Sequence, residues 1–372
     1  GDQSNVILGK NAGNAISSGD VNNVLIGENA GLSINAGEGN AIIGFSTGDA
    51  LTSGDLNTAI GYFALSTSTD VDRVVAIGTE AMEAGNVTSA ADGTVAIGSK
   101  ALQVLTSGAA NVAIGKDSGK ALTTGAHNTF LGTTTGDDMV EGSYNIAIGS
   151  DALGGAKDGT ADSSQFNIFI GVNSGNGAWV TAVSQYNVGV GSYTLDGAMN
   201  GAVNNTAVGH KGLSAITTGD SNVAVGYQSG LALTTGHSNV IIGENAGSTA
   251  TTQLTNSVLI GNDAGQTAIS ANHVFIGDHA GAAAVANHGQ VFIGYYAGAV
   301  ITSGERNTAI GYQALDSADD CDDSIAIGYQ ALAGTDAGTN NKNIAIGNYA
   351  LDANMTHNTN NTAIGHNALT NL

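Results

Sequence analysis

The carboxylates of Asp319, Asp320, Asp322 and Asp323 crowd into one short stretch, and hard oxygen donors at that density are the chemistry of a Ca²⁺ site. The stretch lacks both an EF-hand pattern and a Gly-Gly-x-Gly-x-Asp repeat, so a solvated acidic turn is the favoured reading, with Ca²⁺ the sole cofactor candidate. Other chemistry is sparse. There is no Gly-x-Ser-x-Gly elbow, and the glycine-rich loops lack the Lys-Ser/Thr of a phosphate cradle. The eight His are scattered rather than paired at ligand spacing, and His237, His273 and His279 read as exposed turn residues. No catalytic residue is assigned, and an enzyme is not expected.

Composition bounds what can position these side chains. In 372 residues, 56 Gly, no Pro and 5% aromatics do not fit a conventional large core, yet 42% hydrophobic against 11% charged residues excludes disorder. The net charge of −22 makes nucleic acid and anionic lipid surfaces poor partners. The single Cys321 cannot form an internal disulfide. No basic segment followed by an apolar one opens the chain, and no run of about 18 apolar residues occurs, so direct membrane insertion is not expected.

What remains is periodicity. A glycine anchor recurs at 9, 27, 44, 61, 78, 98, 115, 132, 149, 171, 191, 209, 226, 243, 261, 277, 294, 311, 328, 347 and 365, giving 21 units with most steps at 17. Before every anchor stands Ile, Val or Leu, and three before it a β-branched residue in every unit except at Ala41, which is strand chemistry. Asn sits four before the anchor in 15 units, among them Asn57, Asn111, Asn222 and Asn343, as expected of a stacked ladder. Three after the anchor every residue is small. The anchor itself is expected to supply a positive φ or a close backbone approach. A second turn, such as Thr52-Ser53-Gly54 or Thr123-Thr124-Gly125, precedes many units, so each unit reads as one coil of a parallel β-solenoid.

Two columns compensate each other. Where the residue two before the anchor is large (Ile7, Leu25, Ile42, Phe130, Phe169, Ile241, Leu259, Phe275, Phe292), the residue four after it is Gly. Where the former is Ala or Gly, the latter is usually Leu or Met, as in Ala59 with Leu65 and Ala76 with Met82; only the units at Gly115 and Gly226 are small at both places. Conserved volume implies one shared compartment. Strand alternation then puts the columns one and three before the anchor on the opposite face, also apolar, to be covered by the chain's own second segment or by identical chains around an axis.

The nine Ala-Ile-Gly triplets, ending at Gly61, Gly78, Gly98, Gly115, Gly149, Gly311, Gly328, Gly347 and Gly365, resemble the head repeats of YadA-like trimeric autotransporter adhesins. The string Asn307-Thr308-Ala309-Ile310-Gly311-Tyr312-Gln313-Ala314-Leu315 is also similar to β-roll repeats of phage tail-fibre-type proteins. The resemblance covers essentially the whole chain and implies a left-handed parallel β-roll with three chains to a trimer. The period exceeds the usual autotransporter spacing, and neck, heptads, barrel anchor and terminal chaperone are missing, so attachment to a bacterium or to a virion does not carry over.

The expectation is therefore an all-β parallel β-roll of about 21 coils over residues 1–372, a single repeat domain cut from a longer fibrous protein and homotrimeric. At roughly 4.8 Å per coil it makes a rod on the order of 100 Å. It is expected outside the cell, on a cell surface or virion, as a shaft with an adhesive or receptor-binding role toward a host-surface glycan or protein. The alternative is a purely structural subunit of a self-assembling extracellular filament. Insertions near Ala84 to Asp92, Gly154 to Gln165 and Gly175 to Gln185 are the candidate recognition loops, and Trp179 is either a recognition residue or a plug under the third. Flat Thr corners raise ice binding as a minor reading.

Overall fold

The glycine columns dictate the backbone. In a computed structural model that describes residues 4–17, 19–155, 163–179, 182–250, 254–284, 288–316, 321–334, 341–353 and 359–370, all 21 anchors hold φ between 125° and 145°, a region essentially closed to residues with a Cβ. Close approach acts as well: a Cβ on Gly115 would lie 2.1 Å from the carbonyl oxygen of Gly132, one coil on. The two reasons foreseen for the anchor hold together.

The chain divides into two compact units. Unit 1 comprises Gly1–Ser192 with Ala198–Gly201, and unit 2 comprises Tyr193–Gly197 with Ala202–Leu372. Unit 1 carries the three-residue strands β1 (Val6–Leu8) to β11 (Val188–Val190), and unit 2 carries β12 (Thr206–Val208) to β21 (Thr362–Ile364). Neighbouring strands pair in parallel with equivalent columns opposite each other, as in Val112↔Thr129, Ala113↔Phe130 and Ile114↔Leu131. The register survives insertions: Val75 pairs with Val95 across a long step whose extra residues form a loop with a 3₁₀ turn at Ser89–Ala91. Both units are thus parallel β-solenoids with a repeat near 17 residues. No α-helix occurs among the described residues, and none of their helices is long and apolar enough to cross a membrane.

Inside every coil but the first the middle strand residue is buried, and it meets the residue four after the anchor as the compensation requires. A Cβ on Gly136 would lie 2.9 Å from the Phe130 ring, and one on Gly298 would lie 2.5 Å from Phe292. The two exceptional units prove to be fillable from their neighbours. A Cβ on Gly119 would meet Leu102 at 2.7 Å and Phe130 at 3.0 Å, and one on Gly230 would meet Leu213 at 2.8 Å and Ile241 at 3.1 Å. Each sits where the core changes from a Leu after the anchor to a large residue before it, and each receives side chains from both directions. The compartment is therefore shared between coils as well as within them.

The corner after the anchor is left-handed throughout. Residues two and four after the anchor have φ between 46° and 67° in all 21 units, including Phe63, Lys100, Tyr296 and Leu315. That conformation costs a non-glycine residue about 1–2 kcal/mol, which hydrogen bonds to the neighbouring coil offset, for example Phe63 N donating to Phe45 O at 3.1 Å. The Asn ladder forms as expected: Asn40 Nδ2 donates to Asn23 Oδ1 at 3.2 Å and to Gly54 O at 2.8 Å, and its Oδ1 accepts from Asn57 N at 2.9 Å. A further inward column, seven after the anchor, is filled by Ile34, Leu51, Leu105, Leu122, Met139 and Leu233, all fully buried.

Candidate functional surfaces

The outward strand face is the first candidate. Side chains one and three before the anchor are half-buried or exposed in every strand, while the middle residue is buried in all but β1. Leu131 is 44% and Val208 38% exposed. The chain's own second segment packs on the inward side, against the middle column, and leaves this apolar face open.

Aromatic ladders are the second. In unit 1, His127, Tyr144, Phe166 and Tyr186 stack with centroids 4.8, 5.1 and 5.2 Å apart and interplanar angles of 14°, 11° and 2°. In unit 2, Tyr295, Tyr312 and Tyr329 stack at 5.0 and 5.1 Å. Though exposed, these rings cover one another's faces at about the coil spacing. A sugar platform needs free faces, so the ladders act mainly as ties between coils.

The third is a depression of about 380 Å³ in unit 1, lined by Gln103, Val104, Lys120, Ala121, Asp137 and Asp138. These are the residues five and six after the anchor in three successive coils. Burial, then the Asp138 carboxylate, and then those of Asp151 and Asp117 push the Asp137 carboxyl up to about 6. Gln103 Nε2 donates to Glu80 and Glu83, both at 3.2 Å. Asp196, in the same column of unit 2, is also pushed up to about 6 by burial, against the pull of Lys211 and His210.

The acidic turn is only partly in view. Asp319 and Asp320 lie outside the described residues. Asp323 is engaged with Arg306 at 2.6 Å, which holds its carboxyl below the usual range, and Asp322 Oδ1 accepts from Glu305 N at 2.7 Å. No group of three His, Cys, Asp or Glu that could hold a metal occurs among the described residues. His237 is exposed and His279 half-buried, beside Asp278 and Asp263. His273 corrects the expectation of an exposed turn: it is fully buried in the Asn column, with Nε2 2.9 Å from Ser270 Oγ and its ring on Phe275. Trp179 is fully buried edge-on against Phe169, which decides for the plug. The Thr corners bind inward along the stack, Thr106 Oγ1 donating to Thr123 O at 2.9 Å and Thr123 Oγ1 to Val140 O at 3.0 Å, so these hydroxyls are not displayed as a flat array. Of the insertions, 84–92 is described in full, whereas 156–162 and 180–181 are not.

Comparison with protein-family models and with curated protein sequences returns no match. Function is therefore argued from these surfaces.

Proposed function

We propose that this chain is a non-enzymatic shaft segment of an extracellular fibre on a cell surface or virion, in which identical chains bury one another's outward strand faces and the insertions and side depressions engage a host-surface glycan or protein. The resemblance to trimeric autotransporter heads and tail-fibre-type repeats favours three chains. The observation that carries the reading is the outward face itself: Val, Ile, Leu and Thr occupy it strand after strand in both units, half-exposed in a single chain. A continuous apolar stripe of this kind marks an interaction surface, and a surface that repeats along a solenoid matches most simply another copy of itself. The acidic turns keep the assembled fibre solvated and discourage lateral clumping.

Light scattering on the purified chain tests this first. A mass three times the 36.7 kDa of one chain is expected, and Ile77→Lys together with Ile97→Lys should reduce it to one. A stable monomer would refute the assembly. End-to-end polymers that bind no cell, with or without residues 84–92, would mark a purely structural filament subunit and refute the recognition role.

A further inference from the structure

The depression in unit 1 interrupts a regular surface. Five after the anchor the column is already polar in the preceding coils, at Asp49, Ser66 and Glu83, and Lys120 is its only cation, set between Gln103 and Asp137 at steps of 17. Beside them run Val104, Ala121 and Asp138. Coil spacing near 4.8 Å therefore sets an amide, an ammonium and a carboxylate in one row, flanked by a row of two small apolar side chains and the Asp138 carboxylate. Gln103 donates its amide hydrogens to Glu80 and Glu83, which orients its carbonyl oxygen as an acceptor. A glycine follows in the next coil, where a Cβ added to Gly154 would lie 2.6 Å from Asn176 Oδ1 and 3.3 Å from Asp137 Oδ1.

We propose that this depression binds a neutral sugar unit of a glycan, with the Asp137 and Asp138 carboxylates accepting from adjacent hydroxyls, Lys120 donating to a hydroxyl or ring oxygen, and Val104 and Ala121 lying under the C–H face. A volume of about 380 Å³ falls in the range of small-molecule sites, which pair an apolar floor with a few fixed polar groups. The ligand class follows from the mixture. A purely anionic ligand would meet Asp137 and Asp138, with Asp117 and Asp151 close enough to act on Asp137, and a purely cationic one would meet Lys120, whereas hydroxyls donate and accept in the same place. This assignment deepens the recognition role proposed above and rests on it.

The test uses the full chain, titrated calorimetrically with maltotriose, cellotriose and chitotriose up to about 10 mM, where a Kd of about 1 mM is readily seen. At least one should bind. Asp137→Asn and Lys120→Ala should each weaken it about tenfold or more, as loss of a charge-assisted hydrogen bond does, while Asp196→Asn, in the same column outside the depression, should not change it. Circular dichroism checks that each variant folds. Absence of binding by all three sugars overturns the site, as does binding indifferent to Asp137→Asn and Lys120→Ala. Preference for glucosamine or spermidine that strengthens in Lys120→Ala also overturns it, in favour of simple ion pairing. Light scattering on the same sample separates the two proposals: a trimer without sugar binding removes the site alone, and a sugar-binding monomer removes the assembly alone.

Discussion

Exchanging core modes in one coil puts the volume argument at risk. Phe292 is fully buried, and the coil after it already runs in the opposite mode, with Ala309 before its anchor and Leu315 after. Phe292→Ala alone opens a cavity and should cost about 3–5 kcal/mol. Gly298→Leu alone places a side chain at φ 57°, where Leu315 and Leu332 both sit at 55°, so the backbone tolerates it for about 1–2 kcal/mol of left-handed strain. Overpacking against Phe292, already 2.5 Å from where a Cβ would stand, adds about 1–3 kcal/mol or more. The pair together merely moves the change of mode by one coil. What remains is the left-handed strain and the lost Phe275–Phe292 stack, rings 5.0 Å apart, worth about 0.5–1.5 kcal/mol. A coupling of about 3.5–6.5 kcal/mol in the stabilising direction is expected. Urea unfolding followed by fluorescence of the neighbouring Tyr295 and Tyr312 at one protein concentration measures it. If the two effects simply add to within about 0.5 kcal/mol, the columns do not share a compartment and the core argument fails.

Three further outcomes are expected. Gly115→Ala, which drives a Cβ into the Gly132 carbonyl, should abolish soluble folded protein, whereas Gly93→Asn, with φ 72° and nothing within 4 Å of an added Cβ, should leave soluble yield and circular dichroism unchanged. Asn128→Ala should lower stability by about 2–3 kcal/mol in urea titration, because the Gly142 carbonyl and Asn145 N–H that it satisfies at 2.8 and 2.9 Å become buried and unpaired. The carboxyls of Asp137 and Asp196 are raised from 3.8 to about 6, so the folded state binds their protons more tightly. Their contribution is present at pH below 4 and is lost as pH rises through 6. Asp137→Asn with Asp196→Asn should therefore raise stability at pH 7.5 by about 1 kcal/mol each, after discounting for solvent screening of half-buried groups, and should flatten the difference in Tm between pH 4 and pH 7.5.

Much of the interior was legible because its signals are compositional. Glycine anchors, the Asn column and the exchange between Phe130 and Gly136 all tie a residue type to a steric demand. The column seven after the anchor was missed because Leu51 and Met139 alternate there with Ala250 and Ser68, and no single type marks it. His273 was misjudged by its type, although its place four before Gly277 puts it in the Asn column, where Nε2 takes up the hydrogen bonding. Left-handed corners at Phe63 and Tyr296 are marked by no single residue type, since the neighbouring coil imposes them. The depression required stacking Gln103, Lys120 and Asp137 at steps of 17, and a single coil gives no hint of it. Whether the outward face is covered by its own chain was a question of path, which the columns do not encode.

The residue two after the anchor has a consequence beyond the fold. Ten residue types, from Asn11 and Glu80 to Lys211, Tyr349 and His279, take the same left-handed backbone there, coil after coil. Shape at this corner is written by the ladder, and the column admits many polar and aromatic types but no Ala, Val, Ile or Leu. Such a column behaves as a linear display on a fixed pitch in which adjacent characters pair, as Lys100 does with Glu80, Gln330 with Gln313 and His279 with Tyr296, so coils can be rewritten in neighbouring pairs to change charge, aromaticity or adhesion without redrafting the scaffold beneath.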